Sequence, residues 1–114
     1  MICWRWSATL TNSIVTGNHW YACQRFASGT VGHVVSSHNL IQDDSCNPTA
    51  SDIITGSAGL GVLADNGGPT LTHSLRAASR AIDAADDSVC SAIDQRGVAR
   101  PNGAHCDSGS YGYP

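Results

Sequence analysis

Nine aspartates and five histidines (His19, His33, His38, His73 and His105) are the side chains of this sequence suited to moving protons or holding a cation. A hydrolytic centre needs a base beside a nucleophile, or a metal that activates water. The chain has no Gly-x-Ser-x-Gly elbow, no phosphate-binding loop, no His-Glu-x-x-His and no Glu anywhere. His33 and His38 lie five apart in a polar stretch and read as solvated loop histidines. Gly59-Leu60-Gly61 lacks the third glycine of a dinucleotide loop and reads as a turn. Asp43-Asp44 and Asp83-Ala84-Ala85-Asp86-Asp87 are the best places for calcium, which favours clustered oxygen ligands. Neither has the spacing of an EF-hand or a calcium β-roll, and Asp-rich turns that bond their own backbone account for both. Trp4, Trp6, Trp20 and Tyr21 have the faces to stack on sugar rings, but packing is the expected role. No catalytic, cofactor-binding or metal-ligating residue is therefore expected, and no cofactor.

Two short stretches carry structural chemistry instead. Asp65-Asn66-Gly67-Gly68-Pro69-Thr70 has the composition of a turn. Asp94-Gln95-Arg96-Gly97 is expected to set a buried Asp94–Arg96 pair within a loop, with Gly97 free to adopt a positive φ. Five cysteines (Cys3, Cys23, Cys46, Cys90 and Cys106) show no Cys-x-x-Cys and no zinc-like spacing to histidine. Two disulfides and one free thiol can be drawn among them in 15 ways, and the spacing alone does not choose.

The elements that position these residues are set by composition. Of 114 residues, 49 are Ser, Thr, Asn, Asp or Gly, which favour turns and caps over helix interiors. The charged residues are nine Asp and six Arg, with no Glu and no Lys, so the long straight-chain charged helix formers are missing. A helical bundle or coiled coil is excluded. Leu, Ile, Val and Phe number only 21, yet the net charge of −3 is too small to drive disorder. The chain reads as a single thin-cored, turn-rich β protein. A pI near 5.8 and the lack of a basic run argue against nucleic acid. No apolar run reaches membrane-span length, and the first residues lack the apolar stretch of a secretory signal.

Along the chain, Leu10 and Ile14 fall on one face around Asn12, which predicts a short strand pair. Val34-Val35-Ser36-Ser37-His38-Asn39-Leu40-Ile41 is a related stretch. Matching Asn12-Ser13-Ile14 to Asn39-Leu40-Ile41 gives an offset of 27, in the range of solenoids, propellers and arrays. Asp52-Ile53-Ile54 is a third, partial copy. Beyond Gly56 the spacing loosens. Residues 72–85 are expected to form a short helix around Leu75, Ala78 and Ile82, and an irregular closing stretch follows.

Leu60-Gly61-Val62-Leu63-Ala64-Asp65-Asn66-Gly67-Gly68-Pro69-Thr70 resembles the motif near the C-terminus of bacterial right-handed parallel β-helix surface proteins, the choice-of-anchor Q and polymorphic outer-membrane repeat group. The resemblance continues through Ala81-Ile82-Asp83-Ala84, Asp94-Gln95-Arg96-Gly97-Val98 with Arg100-Pro101, and Cys106-Asp107-Ser108-Gly109-Ser110-Tyr111. The departures are Arg80 in place of Pro, Ser108 in place of Ile, Gly112 in place of Glu, and Ser37-His38 in place of a Gly-rich pair.

The resemblance implies an all-β fold: terminal rungs of a right-handed parallel β-helix over 9–56 and a loop-rich closing segment over 57–114, after a doubtful stretch at 1–8. It implies the end part of a longer exported protein, extracellular or at the cell surface in association with an outer membrane. That protein would be non-catalytic and adhesin-like, and would meet a surface ligand such as a carbohydrate or host protein. The alternative is the end of a β-helix polysaccharide lyase or hydrolase. It further implies Cys23–Cys46 and Cys90–Cys106 disulfides, with Cys3 free.

Overall fold

The computed structural model describes residues 4–23 and 30–114. Cys3 and the side chains of Trp4, Trp6 and His33 lie outside the described residues. The fold is all-β: seven strands and one 3-10 turn, Asp87–Val89, among the described residues. The strands are β1 (Trp4–Thr11), β2 (Ile14–Val15), β3 (Thr30–Ser37), β4 (Leu40–Ile41), β5 (Ile53–Ile54), β6 (Leu60–Ala64) and β7 (Thr72–Leu75).

The first five strands pair in parallel. β1 lies beside β3 from Trp4↔Thr30 to Thr11↔Ser37, and β2 beside β4 with Ile14↔Leu40. β5 continues the second sheet, with Leu40↔Ile53 and Ile41↔Ile54. The step from the first copy to the second is thus 26 residues on both sides of the corner, one fewer than the Asn-to-Asn match gave. Backbone conformation is the reason. Asn12 and His38 both have φ 55°, and this left-handed residue turns the chain between the two strands of each copy. Stacking pairs like with like in conformation, so His38 lies beside Asn12, and Asn39 beside Ser13. His38 is half-buried, not the solvated loop residue expected, and its Nδ1 is buried without a hydrogen-bond partner.

Side chains alternate across a strand, so the small sheet β2-β4-β5 feeds two cores. Leu40 packs with Ala58, Leu75 and Ala81, joined by Ile14, Ile53, Tyr111 and Tyr113. Ile41, one residue on, packs on the opposite face with Val34 and Cys46, joined by Leu10, Val15 and Cys23. Leu40 and Ile41 are both fully buried. Each contributes roughly 2 kcal/mol by burial.

The stretch 72–85 is not a helix. β7 pairs antiparallel with β6, from Leu60↔Leu75 to Ala64↔Thr72, and turns occupy most of 77–83. Two contacts outweigh the helical propensity of its alanines. Asn66 Nδ2 donates to the Thr72 carbonyl and hydroxyl, both at 3.0 Å, which sets the hairpin register. Ser79 Oγ donates to the Ala58 carbonyl at 2.6 Å, pulling the chain onto Gly59. A Cβ at Gly59 would lie 2.8 Å from Ser79 Cα.

Candidate functional site

The turn 65–69 and the loop 94–97, some thirty residues apart in sequence, meet in one polar knot. Its centre is the Asp94 carboxylate, whose side chain is fully buried. Asp94 accepts from the backbone N–H groups of Arg96 (2.8 Å), Val98 (3.1 Å) and Gly112 (3.0 Å). It also accepts from Arg96 Nε at 3.0 Å and a terminal guanidinium nitrogen at 2.8 Å. Burial pushes its pKa up, but the Gly112 N–H, the guanidinium and the Val98 and Arg96 N–H groups outweigh it. They hold the pKa at about 2, against an ordinary value of 3.8.

Arg96 spends its other contacts on the turn, where it donates to the Asn66 carbonyl at 3.5 Å, and on residues 111–112. It donates to the Gly112 carbonyl at 2.9 Å and lies 3.8 Å over the centre of the Tyr111 ring. Both the N–H and the carbonyl of Gly112 thus bond the ion pair. Gln95 Nε2 donates to Thr70 Oγ1 at 2.8 Å, joining loop to turn. Within the turn, Asp65 accepts from Gly67 N–H at 3.0 Å, and Pro69 is exposed. Gly67, Gly68 and Gly97 all have positive φ. Gly68 is also sterically required, since a Cβ there would sit 2.7 Å from Arg96 Cα.

The corner of the parallel sheets is a second polar cluster, one the sequence reading missed. Asn39, nearly fully buried, accepts from Ser13 N–H through Oδ1 at 2.9 Å and donates through Nδ2 to the Leu10 carbonyl at 2.8 Å. Its own N–H donates to Asp52 Oδ1 at 2.9 Å. The Asn39 side chain thus ties its copy to the one before, and its backbone N–H ties it to the one after. The closing segment docks on the two left-handed residues here. Asn12 exchanges two hydrogen bonds with the Asp86 backbone (2.7 and 3.1 Å), and its carbonyl accepts from Gly109 N–H at 2.7 Å. The fully buried Ser108 donates from Oγ to the His38 carbonyl at 2.8 Å. The sequence signal was present: Asn is enriched at positive φ among non-glycine residues.

The carboxylates of the acidic clusters accept from backbone N–H groups. Asp43 accepts from the N–H groups of Ala22 and Ser45. Asp86 caps the 3-10 turn, and Asp107 accepts from the N–H groups of Asp83 and Tyr113. Asp87 accepts from Cys106 N–H at 2.8 Å and pairs with His105 Nδ1 at 2.6 Å, in an exposed contact. The hydrogen bond from Asp87 raises the His105 pKa, helped by the carboxylate charge. Among the described residues no three His, Cys, Asp or Glu side chains converge as a metal site.

Cys23 is bonded to Cys46 and Cys90 to Cys106, with Cα–Cα distances of 5.1 and 6.4 Å. The first staples the loops that follow the two stacked copies. Trp20 and Tyr21, expected to pack, are instead 76% and 61% exposed. They ride on a loop held through Asn18 and Gln42, away from both cores.

A groove of about 940 Å³ runs between the β6–β7 hairpin and the segment around Val89 and Ile93. Its floor includes Ile14, Leu75 and Tyr111, and its rims carry exposed Leu63, Leu71, Val89 and Ile93. Thr16, Ser91 and Ser110 add hydroxyls, and Arg100 adds a cation with no ion-pair partner among the described residues. Such a lining suits binding by an extended ligand with apolar and polar faces. Comparison with family models, curated proteins and solved structures finds no match to this chain.

Proposed function

We propose that this chain is the end part of an exported bacterial β-helix cell-surface protein, adhesin-like and non-catalytic. On this reading 9–56 are the terminal rungs of a right-handed parallel solenoid and 57–114 the segment that closes it. The observation that carries it is the 26-residue step from the first copy to the second, the same in both parallel sheets, with a left-handed residue at the same corner of both copies; β5 then follows β4 after a step of only 13 residues, as the last parallel strand before the closing segment. A solenoid needs its chain to return to one backbone conformation on each circuit. Parallel strands also require crossover connections, for which the right hand is the rule. The closing segment, docked on those corners through Ser108 and Gly109, suits an end structure. An upstream rung would add in parallel along β1 and β2, whose outer edges would otherwise be open to pairing. Two disulfides accord with an oxidising, extracellular setting, and no helix among the described residues is long and apolar enough to cross a membrane.

The ligand of such a protein, a carbohydrate or host surface protein, would be met by the groove. The test is to present the oxidised protein to arrayed polysaccharides and host matrix proteins and to follow turnover on the same ligands. Saturable binding without turnover supports the proposal. Turnover abolished by Asp83→Asn or Asp94→Asn, in variants whose circular dichroism matches that of the native protein, replaces it with the end of a polysaccharide lyase or hydrolase. If neither binding nor turnover is seen, the adhesin reading is overturned.

A further inference from the structure

The sequence has two Asn-Gly pairs, Asn66-Gly67 and Asn102-Gly103, and the fold treats them oppositely. A following glycine removes the Cβ that would shield its own backbone nitrogen, so Asn-Gly is the dipeptide most open to attack by that nitrogen on the Asn carboxamide. Such asparagines are among the thermolabile residues of proteins.

Asn66 is locked. Its Nδ2 donates to the Thr72 carbonyl and hydroxyl at 3.0 Å each, and to the Ala64 carbonyl at 3.4 Å. The nitrogen that would attack, Gly67 N, donates to the Asp65 carboxylate at 3.0 Å. A proton shared with a carboxylate is harder to remove, and a carboxamide held by three acceptors cannot swing onto its own backbone. Asn102 has none of this. It lies with Gly103 in an exposed bend, and among the described residues no hydrogen bond holds its side chain or the Gly103 N–H. The bend is held from its far side, where His105 N–H donates to Asp83 Oδ1 at 3.1 Å.

We propose that Asn102 is a site of spontaneous deamidation in the folded protein, while Asn66 is protected by the fold. The deprotonated Gly103 nitrogen attacks Asn102 Cγ. A C–N bond forms, the carboxamide C–N bond breaks, and ammonia leaves with a proton from solvent. Water then opens the cyclic imide at either carbonyl, giving aspartate or isoaspartate at 102. No oxidation or reduction occurs, and water is the co-reactant. The product places a new carboxylate, or an extra backbone methylene, beside Asp83, whose Oδ1 lies 3.6 Å from where a Gly103 Cβ would be. It does so inside the loop that the Cys90–Cys106 disulfide closes.

The experiment is to incubate the intact oxidised protein at mildly alkaline pH and follow both sites by peptide mapping, with enzymatic isoaspartate labelling. The expected result is loss of Asn102 with isoaspartate appearing there, several-fold faster than any loss of Asn66. After reduction and denaturation the two sites should convert at similar rates. Gly103→Ala, which has room for its Cβ, should slow conversion at Asn102 without unfolding the protein. Equal rates at both sites in the native protein, or an Asn102 that converts only after denaturation, would overturn the proposal.

Discussion

At the scale of single residues, Asp94 decides more than any other charged group. Its carboxylate is buried and receives five hydrogen bonds, so the folded state holds the charged form far better than the unfolded chain does. With a folded pKa of about 2 against 3.8, the unfolded state binds the proton first as pH falls. The stabilisation is therefore complete above about pH 4 and lost as pH drops toward 2, and amounts to roughly 2 kcal/mol. Asp94→Asn should flatten this part of the stability–pH curve and cost about 3 kcal/mol near neutrality, since Arg96 then loses its counter-charge. Urea unfolding across pH 2–7 measures both. His105 has the opposite sign. Its pKa is raised by Asp87, so its stabilising contribution is full below pH 6.5 and fades as pH rises through the folded value. An NMR titration should find the His105 pKa lower in Asp87→Asn than in the native protein. An unchanged value would mean the pair does not form in solution.

At the scale of elements, an eight-residue ladder holds β1 to β3, while the small sheet β2-β4-β5 depends less on its two-residue strands than on the corner before them. β2, β4 and β5 are each two residues long, too short for their ladder bonds alone to fix a register. Asn39 supplies what the ladder lacks, by bonding the copy before it and the copy after it from one buried position. Asn39→Ala leaves Ser13 N–H and the Leu10 carbonyl without those partners, and should cost about 1–3 kcal/mol. Asn39→Asp keeps the acceptor for Ser13 but buries an unpaired carboxylate against the Leu10 carbonyl, so at neutral pH its cost should exceed that of alanine. Thermal unfolding of the pair of variants checks this. Equal stability of all three proteins would show that the corner does not set the register.

At the scale of the whole molecule, the core is divided and thin. Only eight apolar residues are buried among the described residues, seven of them split between two faces of a three-stranded sheet and the eighth, Cys106, in the closing segment. The disulfides close loops with separations of 23 and 16 residues. In the chain-entropy account each such loop is worth about 3 kcal/mol, a large share of the 5–15 kcal/mol typical of a folded domain. Replacing Cys23 and Cys46 together by Ser should therefore lower the melting temperature sharply, and reduction of both bonds should leave the chain largely unfolded at 37 °C. Circular dichroism with and without reductant reads this directly. A reduced protein with an unchanged melting temperature would show that the polar network, and not the cross-links, carries the fold.

The residue types alone determined much of this. An excess of turn formers, with neither Glu nor Lys, leaves an all-β chain as the outcome, because each glycine, serine or aspartate weakens a helix locally wherever it falls. Asp65 to Pro69 and Asp94 to Gly97 were legible for the same reason: turn geometry is a property of a few adjacent residues. The step of 26 was not legible, because the Asn–Asn match compares side chains while stacking compares backbone conformations, and His38 followed by Asn39 leaves two residues suited to the left-handed position. Nor was the hairpin strand at 72–75, which is held by Asn66 at Thr72, with the chain beyond it anchored by Ser79 to the Ala58 carbonyl, and not by its own propensities. The joining of turn to loop, of Asn12 to Asp86, and of Ser108 to His38 was likewise decided by tertiary packing. Partners 25 to 74 residues apart leave no local trace, and which of many possible acceptors a buried polar group meets is chosen only when the cores close around it.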